Sequence, residues 1–124
     1  MDLDQKLVDQ FILQEIDTVP HLEALLLLWN SRPKEWSDQK LANSLYLPVQ
    51  AVRAIVAELE RRGFVSLTPN GGFLYRSSPR DNLIAQVDQT YRRQVVRIAN
   101  LIHSKPSASL RDFARAFRLK KEQD

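Results

Sequence analysis

Residues 37–65, SDQKLANSLYLPVQAVRAIVAELERRGFV, constrain the chain more tightly than any other stretch. Leu41, Ala42 and Leu45 fall at helical spacing, and Val52, Val56 and Leu59 do so again further on. Tyr46-Leu47 separates the two periods, and Pro48 restarts the second. Ser37 is a good N-cap for the first helix, because its hydroxyl can accept a first-turn N–H that lacks a helical partner. Pro48 suits the first turn of the second, where a missing N–H costs nothing. Gly63 supplies the left-handed residue that ends a helix. The spacing predicts a short helix, a tight turn and a longer helix over roughly 48–62.

A hairpin comes next in the chain. Phe64-Val65-Ser66-Leu67 and Phe73-Leu74-Tyr75-Arg76 alternate as strands do. Between them, Thr68-Pro69-Asn70-Gly71-Gly72 is strong turn chemistry, with Asn-Gly and Gly-Gly offering positive φ.

Helices are expected on both sides of this unit. Over roughly 3–16, Leu3, Leu7 and Phe11 form one stripe, and Val8, Ile12 and Ile16 form another a third of a turn away. A helix apolar on two faces is buried on two sides, either against a second subunit or across its own domain. Over roughly 19–30, Leu22, Leu25, Leu26, Leu27, Leu28 and Trp29 mark the central core helix. After the hairpin, Ser78 is the expected N-cap of a long helix, with Pro79 at its first position and Asp81 in its first turn. Ile84, Val87, Tyr91, Val95, Ile98 and Ile102 run along it at a 3.6-residue period for about five turns. One narrow stripe on so long a helix reads as a helix–helix seam, within a subunit or across a two-fold axis. The expected dimer residues are therefore Leu7, Phe11, Ile84, Val87, Tyr91, Val95, Ile98 and Ile102.

His103 to Ser107 is read as a loop, and Ser109 with Asp112 restarts a final short helix. Its apolar stripe is Leu110, Phe113, Ala114 and Phe117, and Arg111, Arg115 and Arg118 form a basic one. Such a segment docks on its own protein's acidic half, on a partner's acidic surface, or on phosphates.

Composition adds bounds. The 124 residues suffice for one domain with a single modest core. Within it, 1–18 is an N-terminal helix, 19–76 the central unit and 78–119 the C-terminal packing helices. An apolar content of 44% and a charged content of 27% describe a globular chain. There are no cysteines, so disulfides and thiolate metal sites are excluded. The apolar run Leu25 to Trp29 is far too short to span a bilayer, and a cytoplasmic location is the default. The net charge of +3 is unevenly spread. Residues 1–75 carry seven Lys/Arg against ten Asp/Glu, and residues 76–124 carry eleven against five. The half that holds the two central helices is thus the acidic one.

The residues 37–76, down to the RRGFV that leads into the hairpin, resemble the helix-turn-helix and wing of winged-helix transcription regulators. The order of elements over nearly the whole chain resembles the multiple-antibiotic-resistance-regulator (MarR) type. The phenolic-acid-decarboxylase-regulator (PadR) type is similar, with its own long helix after the wing. The implied fold is mainly α with a small β-hairpin, a winged helix-turn-helix with extra N- and C-terminal helices. Winged-helix folds often place a short strand in the connector 34–36, where Trp36 would cap the wing strands. The resemblance implies a homodimer binding duplex DNA through the helix 48–62, with a small-molecule effector as a further partner. On that helix Val52, Ile55, Val56 and Leu59 face inward, and Gln50, Ala54, Ala57 and Arg61 lie opposite with Arg53 beside them. Gln pairs with adenine, Arg with guanine or phosphate, and Ala packs on a thymine methyl, so Gln50, Arg53 and Ala54 are the expected base readers. Lys40, Ser44, Arg62, Asn70 and Arg76 are the expected backbone and wing contacts. This wing departs from the family, since residues 66–75 contain no Lys or Arg.

Catalysis has no foothold in the sequence, and neither a cofactor nor a metal is expected. His21 and His103 are far apart and at no metal-ligand spacing. Gly71-Gly72 is a hairpin tip rather than a phosphate cradle. The alternative to DNA binding is a winged helix turned protein-interaction module, an adaptor to transcription or signalling machinery. The low charge of the outward face, its alanines and the uncharged wing favour that alternative.

Overall fold

A computed structural model describes residues 3–105 of the chain. Six helices and one hairpin run in the order α1 (Leu3–Glu15), α2 (Val19–Asn30), α3 (Asp38–Leu45), α4 (Val49–Arg61), β1 (Val65–Leu67), β2 (Phe73–Tyr75), α5 (Asp81–Arg93) and α6 (Val95–His103). The helix expected from Ser109 onward lies outside the described residues.

Local chemistry explains most of these boundaries. The Ser37 hydroxyl accepts the Lys40 N–H at 3.2 Å and starts α3. Thr18 does the same for α2, accepting the His21 N–H at 3.3 Å. Pro48 is the N-cap of α4 rather than its first helical residue. Gly63, at φ +89°, closes α4, with its N–H on Glu60 O and that of Phe64 on Leu59 O. Tyr46 takes the left-handed turn between α3 and α4, at φ 58°, a conformation costly for any residue with a Cβ.

The start of α5 differs from expectation. Ser78 does not cap it; the helix begins at Asp81, whose carboxylate accepts the Ser77 hydroxyl, the Tyr75 hydroxyl at 2.7 Å and the Ser78 N–H at 3.0 Å. The Ser77 and then the Tyr75 hydrogen bonds hold the Asp81 carboxyl below its ordinary value. Its charge thereby ties the hairpin's last strand to the first helix beyond it.

The core joins every element. α2 runs through its centre with Leu22, Ala24, Leu25, Leu26, Leu28 and Trp29 buried, and α4 adds Val52, Ile55, Val56 and Leu59. The hairpin contributes Phe64, Val65, Phe73 and Tyr75. Phe64 meets Phe11 edge-on at 5.7 Å, and Tyr75 meets Trp29 likewise at 5.2 Å.

The long apolar stripe beyond the hairpin departs from expectation in two ways. In place of a single helix, Gln94, at φ −134° and ψ 50°, divides the segment into α5 and α6. Nor is the stripe a free seam, because Ile84, Val87, Ile98 and Ile102 are buried inside their own chain, as is Phe11 of α1. The break lets α5 and α6 both pack on α1, which explains the second apolar face of that helix. Arg97 fastens the arrangement, placing Nη1 3.1 and 2.9 Å from the two Asp9 carboxylate oxygens. Tyr91 is partly buried, with its hydroxyl 3.3 Å from Glu23. Of the residues expected at a dimer contact, Leu7 and Val95 stand exposed.

The joint between α1 and α2 carries a titratable group. His21 is partly buried, and Thr18 Oγ1 lies 2.6 Å from its Nδ1. Burial above all lowers its pKa; the charges of Arg62 and Lys105 act in the same direction and Asp17 opposes them. A histidine that binds its proton more weakly when folded stabilises the fold above its unfolded value of 6.5, and that stability is lost as pH falls through the folded value. Urea unfolding at pH 7.5 and at stepped values below 6.5 should therefore show declining stability, and His21→Gln should flatten the decline.

Candidate nucleic-acid interface

The hairpin buttresses the α3–α4 pair. Val65 pairs with Tyr75, Ser66 with Leu74 and Leu67 with Phe73 in antiparallel register. Trp36 adds a single-residue bridge on the other side of β2: its N–H donates to Phe73 O at 2.7 Å, and Phe73 N–H to Trp36 O at 2.9 Å. The expected strand-like role of Trp36 in the connector is thus observed.

The hairpin turn is pinned to that same connector. Thr68 donates its hydroxyl to Glu35 at 2.6 Å and accepts the Gly72 N–H at 3.0 Å. A Cβ on Gly72 would lie 2.8 Å from Trp36 O and would also meet the Glu35 carboxylate. Gly72→Ala should accordingly cost about 1–3 kcal/mol as the turn is pushed off the connector, read as a shift in the urea midpoint. Gly71 differs, since its φ is +84° but its Cβ would meet open space. Gly71→Asn, with the non-glycine residue best suited to that φ, should be the milder change.

With α4 held from behind, its other face is free. Gln50, Arg53, Ala54 and Ala57 are exposed, while Val52, Ile55, Val56 and Leu59 are all in the core. Lys40 and Ser44 are exposed on α3, Asn70 at the hairpin tip and Arg76 at its base. Lys40 of α3 and Gln50, Arg53 and Ala54 of α4 thus all stand open to solvent.

Arg62 is the exception. Its Nε lies 2.6 Å from Glu58, and its terminal nitrogens approach Glu15 at 3.5 Å and Asp17 at 3.9 Å. It also donates to Gln14 O at 3.3 Å. A phosphate would have to compete with three carboxylates for this guanidinium, so Arg62 ties α4 to α1 rather than reaching outward.

The outward face is weak in net positive charge because several of its cations have neighbouring anions. Arg53 donates through Nε to Asp38 at 3.0 Å, and Arg61 pairs with Glu58. Glu35 sits against the hairpin turn. Exposed pairs of this kind contribute little to stability, but they cancel the field a polyanion would feel. Neither Asp38 nor Glu35 has a sequence signal: each meets its partner only through the tertiary fold, across 15 and 33 positions.

A concavity also lies between α2, the end of α3 and α5. Leu26, Leu27 and Asn30 of α2, Ser44 to Tyr46 at the end of α3, and Asp88 and Tyr91 of α5 line a groove of about 520 Å³.

Solved structures share this fold. A MarR family protein of Bacillus stearothermophilus is 19% identical with a TM-score of 0.54, over 97% of this chain and 84% of that one. A MarR family protein of Mycobacterium tuberculosis is 19% identical with a TM-score of 0.52, over 97% and 88%. MepR, a transcription regulator of the Staphylococcus aureus multidrug efflux pump MepA, is 16% identical with a TM-score of 0.50, over 97% and 87%. The fold is that of MarR-type winged-helix proteins. No protein-family model matches the chain, and no curated protein does. At these identities the likeness is one of architecture, from the terminal helices through the wing. Among the described residues, no helix is long and apolar enough to cross a membrane.

Proposed function

We propose that this protein is a DNA-binding transcription regulator that engages duplex DNA as a homodimer, with the N-terminal half of α4 in the major groove. The observation that carries the reading is the division of α4 itself. One face is wholly consumed by the core, and the other presents Gln50, Arg53 and Ala54 to solvent. These side chains match the edges of adenine, guanine and thymine respectively. Lys40, Ser44, Asn70 and Arg76 supply the flanking backbone contacts. Catalysis has no part in the proposal. The groove between α2, α3 and α5 is the place for a small effector, since a ligand there would bear on both the terminal helices and the reading pair.

Binding should be measured with duplex DNA across a salt series. Few uncompensated cations face outward, so affinity should fall with salt at a shallow slope, set by a small number of phosphate contacts. Arg53→Ala should cost on the order of 1–3 kcal/mol on a preferred duplex. Unchanged affinity would remove Arg53 from the readout.

A second reading has its own observation in the paired charges and uncharged wing of this face, which suit a protein surface better than a polyanion. Absence of duplex binding at low salt, with stoichiometric capture of a protein partner, would favour it.

A further inference from the structure

We infer that Asp38 is a positioning residue that makes Arg53 a guanine reader, so that each half-site this protein selects carries a guanine opposite the N-terminal half of α4. The inference rests on the DNA-binding reading proposed for this face and names what that face recognises.

The geometry begins with which nitrogen is engaged. Arg53 meets Asp38 through Nε, at 3.0 Å. Its two terminal amino groups have no partner among the described residues, and the side chain is 63% exposed. A guanidinium held by its inner nitrogen keeps a planar pair of donors directed away from the tether. Guanine offers two acceptors, O6 and N7, side by side in the major groove, and the fork fits both at once. Asp38 is itself well placed to hold still. It is the first residue of α3, directly after the Ser37 cap, and its side chain is the less exposed partner at 35%. A carboxylate is also favoured at that end of a helix.

A phosphate is the competing target for the same fork, and charge decides between them. Asp38 neutralises the arginine at close range, so an approaching phosphate meets little net attraction and a nearby negative oxygen. A base edge is uncharged and loses nothing by this. The pair therefore sacrifices general affinity and retains hydrogen-bond geometry, which is the profile of a specificity contact. It also gives the acidic reading half of the chain a use, because weak non-specific binding sharpens the ratio between right and wrong sites.

The test is selection from a random-sequence duplex library by the full-length wild type, Asp38→Asn and Arg53→Lys. Selected duplexes are then re-measured with each G·C pair changed to A·T. The wild type should enrich one invariant G·C pair per half-site, and changing it should weaken binding by about 5- to 150-fold. Arg53→Lys keeps the charge but not the fork, so it should lose that preference while its salt slope stays as in the wild type. Asp38→Asn should relax the same position with Arg53 intact, and Asp38→Glu should restore part of it. Arg53→Lys should melt as the wild type does and Asp38→Asn only slightly lower, since it also removes a carboxylate from the start of α3; a merely structural ion pair would not combine such small shifts with a change in base preference. A wild-type motif without an invariant G·C pair would overturn the inference and leave DNA binding standing, as would variants that keep the wild-type preference. Failure of the wild type to enrich any sequence would overturn the DNA-binding reading itself, and the inference with it.

Discussion

Phe64→Ala should destabilise the protein by about 3–5 kcal/mol, a large share of what holds a domain of this size together. Phe64 is fully buried at the point where α4 turns into the hairpin. Its ring meets Phe11 of α1 edge-on at 5.7 Å, and the Arg80 guanidinium covers it at 4.4 Å. Arg80 also donates to Arg62 O at 3.0 Å and approaches Glu15 at 3.6 Å. Removing the ring would therefore open a cavity beneath three elements and unseat the cation that bridges them. Phe64→Leu keeps most of the volume and should cost under half as much. Urea unfolding followed by tryptophan fluorescence reads the difference, since Trp29 packs on Tyr75 within the same core. A cost below about 1 kcal/mol for the alanine variant would mean that the hairpin is not held to α1 through this contact.

The same junction shows what the sequence can and cannot disclose. The run Arg61-Arg62-Gly63-Phe64-Val65 announces a helix end and a strand start, and both are found there, because glycine is nearly alone in tolerating φ +89°. The periodicity of 49–61 likewise separates the buried face of α4 from the exposed one correctly, since the stripe has one physical cause at both levels. Local chemistry of this kind is readable without a partner. Tyr46 gives no such warning. Nothing in its identity favours a left-handed turn; what accompanies it is backbone hydrogen bonding, with the N–H groups of Tyr46 and Leu47 both returning to Ala42 O.

Side-chain partners are less legible than elements. Arg62 reads as a surface cation from its position at the end of α4, yet it meets Glu15 and Asp17 from the other end of the sequence. Arg53 reads as free, and Asp38 holds it. Ion pairs of this type depend on which elements the core brings together, so the charged residues on one helix face overstate what is available. The outward placement of Gln50, Arg53 and Ala54 is a property of the helix alone, whereas the strength of the field they present is a property of the whole fold.

Ile98→Ala should lower the unfolding free energy by about 2–5 kcal/mol and leave any self-association unchanged. A 3.6-residue stripe running from Ile84 to Ile102 suggests a seam between two copies only while the helix is straight. With the chain bent at Gln94, Ile98 and Ile102 turn onto α1 and become core, 1% and 2% exposed. Val95 and Val96 are left outside, at 46% and 72%, as is Leu7 of α1 at 43%. Val96→Glu is the counterpart. A charge on an exposed site should alter monomer stability by no more than about 0.5 kcal/mol, yet it should weaken self-association if copies meet over this end of α1 and α6. Sedimentation at several concentrations separates the two effects from urea unfolding of the same samples. If Ile98→Ala instead dissociated the subunits and left each one as stable as before, its side chain would have to be a contact between chains. The packing of α6 on α1, fastened by Arg97 and Asp9, would then not describe the protein in solution.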